Sequence, residues 1–115
     1  MEKNVKISIL LDIYGNLLTD KQRKLLNDYY NNDLSLSEIA ENENITRQAV
    51  RDNLKKGENN LIEYENKLNI MQKNLKQKEN IENILKEITN IEKQNENIKC
   101  EKLFEKVKKS LNSLM

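Results

Sequence analysis

The chain has 115 residues, of which 34% are charged and 4% aromatic, and its formal net charge is +1. That length suits one domain with a modest core, and near-neutrality means that any affinity for nucleic acid must come from a local patch. With no histidine anywhere, histidine-based acid–base chemistry and histidine metal ligation are excluded.

Ile7, Leu10, Leu11, Tyr14, Leu17 and Leu18 recur at helical spacing, which predicts an amphipathic helix over residues 5–18 that continues through Gly15. Thr19 or Asp20 caps a second helix, whose stripe of Leu25, Leu26, Tyr29 and Tyr30 runs to residue 31. "NNDLS" supplies turn residues. Ser35 and Glu38 then fit the capping box S-x-x-E, at the head of a short helix over 36–42 with Leu36, Ile39 and Ala40 inward. "ENENIT" breaks that helix. Asn44 suits the left-handed conformation that ends a helix, and Thr46 suits the start of the next.

The next helix turns Ala49, Val50 and Leu54 inward and Arg47, Gln48, Arg51, Asp52 and Lys55 outward. Gly57 costs about 1 kcal/mol relative to alanine in a helix interior. The apolar period nevertheless continues through Leu61, Tyr64 and Leu68. One helix is therefore expected from 46 to 68, straight or bent at Gly57, with Asn69 as its C-terminal cap. Beyond it, Ile81, Ile84, Ile88, Ile91 and Ile98 keep a heptad spacing, with Asn95 at the skipped site. Leu103, Phe104, Val107, Leu111 and Leu114 carry a last helical stripe. "KNLKQKEN" shifts the phase between the runs, which argues against one uninterrupted coiled coil. The fold class is all-α: a helix-turn-helix domain over 1–68 containing the recognition helix 46–68, and a helical tail over 69–115 that packs on it, dimerises, or both.

Little here supports catalysis. There is no glycine-rich phosphate loop, and the carboxylates sit almost entirely in Glu/Lys-rich patterns typical of solvated helix faces. Cys100 is the only cysteine, so no intrachain disulfide can form, which fits a reducing cytoplasm. No cofactor and no metal site is expected. The N-terminus "MEKNVKISILLDIYGN" lacks the apolar length of a signal peptide. No run approaches the roughly 18 apolar residues of a membrane span, so a cytoplasmic chain without membrane insertion is expected.

The stretch "LSLSEIAENENITRQAVRDNLKKG" decides what the chain is for. A helix-turn-helix needs a small residue where its helices touch, apolar anchors on both, and a tight turn between. Ile39 and Ala40, then Asn44 and Ile45, then Val50 meet those points. Thr46, Arg47, Gln48 and Arg51 fall where a recognition helix faces bases and phosphates. Arginine can pair with guanine and glutamine with adenine, while Thr46, Lys55 and Lys56 would hold phosphates. The plainer alternative is a packed helical corner whose cations are merely solvated.

Residues Leu18 to Lys56, with "LSEIAE" and "TRQAVRDNLK", resemble the bacterial YlxM family, small helical proteins similar to region 4 of sigma-70 factors. The resemblance covers essentially the full length, though the tail matches mainly in helical character. It implies a non-enzymatic regulator linked to the signal recognition particle pathway, with DNA or RNA and components of that particle as partners. Two positions depart from the family's pattern. Asn44 stands in place of the usual turn glycine, and Glu43 stands where an apolar residue often packs, so a looser corner is expected. The tail's seam of Ile81, Ile84, Ile88, Ile91 and Asn95 points to a homodimer, since a polar residue in such a seam can fix register.

Overall fold

The computed structural model describes residues 1–94 and 98–115, with side chains described for 1–93 and 103–115. The described residues are all-α: α1 (Lys3–Tyr14), α2 (Asp20–Leu26), α3 (Leu36–Glu43), α4 (Arg47–Leu68), α5 (Ile70–Gln94) and α6 (Ile98–Asn112). They divide into two compact units, Met1–Met71 and Gln72–Met115.

The first unit is built on the side chains that the periodicity turns inward. Ile7, Leu10, Leu11, Tyr14, Leu25, Leu26, Ile39, Val50 and Leu61 are all buried in one cluster, and burying each such side chain contributes about 1.5–3 kcal/mol before entropy is counted. The helix starts are fixed locally. Thr19, not Asp20, caps α2 by accepting from the Gln22 amide at 3.2 Å. Ser35 accepts from the Glu38 amide at 3.1 Å while Glu38 accepts from the Ser35 amide at 3.2 Å, completing the capping box.

Two stretches differ from the sequence expectation. The first helix stops at Tyr14 and passes into a 3-10 turn, Gly15–Leu17, closed by the Leu18 amide on the Gly15 carbonyl at 3.1 Å. The tighter turn keeps Leu18 buried but throws Leu17 out, to 55% exposure. The second helix likewise changes pitch. Asn27–Asn31 form a π-helical turn, in which the Asn32 amide reaches back to the Asn27 carbonyl at 3.0 Å. The wider turn takes Tyr29 off the apolar stripe and leaves it 37% exposed.

Gly57 does not bend α4, which runs as one helix from Arg47 to Leu68. The glycine is there for space. A Cβ at that position would lie 2.8 Å from Leu26 Cδ1, so the missing side chain lets α4 cross closely over α2. Asn69 ends α4 at φ 54°, with its amide on the Glu65 carbonyl at 2.8 Å.

Glu65 departs from the expectation of solvated carboxylates, because it is buried. It accepts from the Tyr14 hydroxyl at 2.7 Å and from the Met71 amide at 3.0 Å, while Tyr14 accepts from the Ile70 amide at 3.2 Å. The pair thereby satisfies amides that the start of α5 would otherwise leave open. Burial, followed by the Glu65 carboxylate, holds the Tyr14 phenol above its ordinary range.

In the second unit, α5 continues unbroken through the phase-shifted stretch at 73–80. Lys108 of α6 meets Glu92 of α5 at 2.6 Å. Among its described residues only Ile81 is a buried hydrophobic. Ile84 and Ile91 are 43% and 44% exposed, and Ile88 is half-buried. Asn95 lies outside the described residues.

Candidate nucleic-acid interface

The corner between α3 and α4 is set by Asn44. It adopts the left-handed conformation, φ 59°, at a cost asparagine bears better than most residues. Its amide bonds the Glu41 carbonyl at 3.4 Å, and the Ile45 amide bonds the Ala40 carbonyl at 3.1 Å, the two closures of a Schellman motif. Thr46 then opens α4 by accepting from the Ala49 amide at 3.0 Å. Ala40, Ile39 and Val50 are buried beneath the corner and Ile45 packs against them. Glu43 does not loosen it. Lys24 of α2 reaches the Glu43 carboxylate at 2.7 Å, and that contact raises the lysine's pKa. An ion pair stands where an apolar contact was expected.

The six candidate contact residues all lie at or beyond this corner, and all are exposed. Arg47, Arg51 and Lys55 recur every four residues, so they form one outward ridge. None of the three has an ion pair or side-chain hydrogen bond among the described residues. Gln48, Asp52 and Lys56 form a neighbouring ridge. There Gln48 donates to Asp52 at 2.9 Å, which uses one of its two amide N–H groups and leaves the other, with Oε1, for a base. The Thr46 oxygen is already used in capping, which leaves its hydroxyl proton as the group able to meet a phosphate.

The ridge borders a cleft that the sequence did not reveal. The cleft encloses about 420 Å³, and its lining includes Arg51, Lys55, Tyr29, Tyr30 and Glu58. Glu58, three residues after Lys55, accepts from the Tyr30 hydroxyl and pairs with Lys3 at 3.5 Å. Burial and then Glu58 push the Tyr30 phenol up from its ordinary value. The adjacent tyrosines were legible as apolar stripe residues. Tyr30 stays half-buried against the core, but the exposure of Tyr29 depends on the π-helical step, which leaves no mark in hydrophobic periodicity.

A left-handed turn residue, a capped second helix and buried anchors on both sides make this corner a helix-turn-helix. A family model described as "UPF0122: Putative helix-turn-helix protein, YlxM / p13 like" matches residues 1–102. The chain belongs to this family. It is 40% identical over 115 residues to a UPF0122 protein of Acetivibrio thermocellus, covering 100% of this chain and 98% of that one. It is 55% identical over 82 residues to a UPF0122 protein of Clostridium kluyveri, covering 71% and 70%. A UPF0122 protein of Malacoplasma penetrans is 62% identical over 63 residues, covering 55% and 59%. Among the described residues no helix is long and apolar enough to cross a membrane.

Proposed function

We propose that the chain is a non-enzymatic cytoplasmic regulator that binds nucleic acid through α4 and acts in the signal recognition particle pathway. Arg47, Gln48 and Arg51 read base edges or position the helix on the backbone through phosphates, and Thr46, Lys55 and Lys56 hold phosphates. One observation carries this function: the exposed ridge of Arg47, Arg51 and Lys55 stands on the second helix of a helix-turn-helix, without carboxylate partners among the described residues. A ridge of that kind favours phosphate oxygens, whose recognition is largely electrostatic. Duplex DNA is the expected target, with RNA as the other candidate. The pathway comes from the resemblance to the YlxM family.

A second function is favoured by the size of the patch. Residues 46–57 carry four cations against Asp52, and residues 36–45 carry three acids. So narrow a cationic surface also suits an adaptor that binds protein components of the particle. Recovery of the tagged chain's partners from a lysate, with and without nuclease, separates the two. Loss of every partner on nuclease treatment supports direct nucleic-acid binding. Nuclease-resistant capture of the particle's GTPase supports the adaptor.

The proposal extends to a homodimer through the tail. The exposure of Ile84 and Ile91 supports it, since two isoleucines seven residues apart leave an apolar stripe for a second copy. Ile81 is already buried in the single chain and offers a partner little.

A further inference from the structure

We infer that the cleft beside the recognition helix is a nucleotide site, taking a base against Tyr29 and its phosphate on Arg51 and Lys55. Its volume of about 420 Å³ falls within the roughly 300–1,000 Å³ of small-molecule sites. Leu36, Leu54 and Ile62 supply apolar lining. Tyr29 lines the cleft and is 37% exposed. The Tyr29 and Tyr30 rings stand nearly perpendicular, with centroids 4.9 Å apart and planes at 85°. Tyr30 is itself tied to α4 through Glu58, so the aromatic wall has a fixed support.

Charge selects the ligand. Lys3 and Glu58 at the cleft pair with each other. Arg51 and Lys55 have no carboxylate partner among the described residues, so the cleft carries a positive surplus. An aromatic anion uses both features, because a base stacks on tyrosine and a phosphate pairs with guanidinium and ammonium. An aliphatic anion would leave Tyr29 unused, and a cation would be repelled. The base and phosphate could belong to a free nucleotide or to an unpaired residue of a strand. Arg51 and Lys55 also belong to the ridge proposed to meet a duplex, so occupancy of the cleft competes with duplex binding. That competition rests on the proposed function, whereas nucleotide binding does not.

The test is a titration of the full chain, followed by amide NMR, with adenosine monophosphate, a single-stranded adenylate trimer, and inorganic phosphate. Saturable shifts at residues 29–30 and 51–58 are expected with the mononucleotide, and much weaker binding with phosphate alone. Tyr29→Ala should weaken mononucleotide binding about tenfold, as expected for loss of one stacked base, while Tyr29→Phe retains it. Because Tyr29 is partly exposed, thermal melts of both variants should match the unsubstituted chain. A trimer that binds about tenfold tighter than the mononucleotide would identify a strand as the natural source, and equal affinity would identify a free nucleotide. The site is overturned if neither probe gives saturable shifts, or if both Tyr29→Ala and Arg51→Ala bind the mononucleotide like the unsubstituted chain. A chain that binds duplex but not mononucleotide loses the cleft site and keeps the proposed function.

Discussion

Ile39 and Ile84 both stand on amphipathic, Glu-containing helices, yet Ile39 is fully buried and Ile84 is 43% exposed. The difference lies in what surrounds the helix. In the unit Met1–Met71, four helices of 7–22 residues each bring an apolar face to one cluster, and side-chain caps at Thr19, Ser35 and Thr46 fix where three of them start. In the unit Gln72–Met115, two helices have the same kind of stripe. Among the described residues, however, the stripe members Ile84, Ile91, Leu103 and Val107 remain exposed. Helical periodicity alone therefore does not bury a residue. Burial needs a second face within reach, and the tail's exposed stripe is where a second copy is proposed to supply one.

Core truncation separates the two units most strongly. Leu10→Ala in the first unit should cost about 2–5 kcal/mol in chemical denaturation, through lost burial and a residual cavity. Ile91→Ala in the tail should cost well under half as much at protein concentrations where the chain is monomeric. Equal losses would remove the distinction between the units. Glu65→Leu comes next, at about 2 kcal/mol, since it leaves buried donors unsatisfied around Tyr14 and Met71. A neutral result would mean that the buried carboxylate is not holding the start of α5.

Gly57→Ala sets two effects against each other. Alanine gains about 1 kcal/mol of helix propensity, but its Cβ would stand 2.8 Å from a buried Leu26 methyl, and such overpacking costs about 1–3 kcal/mol. Net destabilisation is expected. Rescue by Gly57→Ala combined with Leu26→Val would confirm that the close crossing of α2 and α4 is responsible.

A smaller effect should appear in alkali. The phenols of Tyr14 and Tyr30 are raised in the folded chain, while unfolded tyrosine titrates at about pH 10. The stability they contribute is complete below that pH and falls as pH rises, because the unfolded chain loses those protons first. Denaturation midpoints at about pH 9 and about pH 11 should therefore differ less for Tyr14→Phe than for the unsubstituted chain. The tail has no tyrosine, since all four lie at or before Tyr64, so this loss belongs to the first unit. For the tail, sedimentation should give a dimer for the unsubstituted chain at tens of micromolar (roughly the weak-complex range). It should give a helical monomer for Ile84→Lys combined with Ile88→Lys. A monomeric unsubstituted chain would leave the exposed stripe without its proposed occupant.

Much of the first unit was legible because its signals are local. A capping box, a threonine cap and two asparagines ending helices each act within four residues of chain, and all are found where the sequence placed them. The illegible parts depend on distance or pitch. Gly57 makes sense only beside Leu26, which is 31 positions earlier. Glu65 could have been suspected, because it continues the inward series Leu54 and Leu61 and Tyr14 needs a partner for its hydroxyl. The 3-10 turn at Gly15 and the π-helical turn at Asn27 change the pitch and reassign Leu17 and Tyr29 to the surface. The six contact residues were read from spacing, and their exposure is as expected. The bond from Gln48 to Asp52 follows from their four-residue spacing and could have been suspected, whereas spacing could not foretell that Arg51 and Lys55 would share a cleft with two tyrosines.

Duplex affinity measured by fluorescence anisotropy across a series of salt concentrations addresses the proposed function most directly. The unsubstituted chain should bind weakly, with affinity falling steeply as salt rises. Arg47→Ala and Arg51→Ala should each weaken binding and lower the logarithmic salt slope by about one unit per lost phosphate contact. The double variant should therefore lose about two units of slope while retaining its helix content. If the double variant keeps both the affinity and the salt slope of the unsubstituted chain, α4 is not the nucleic-acid surface.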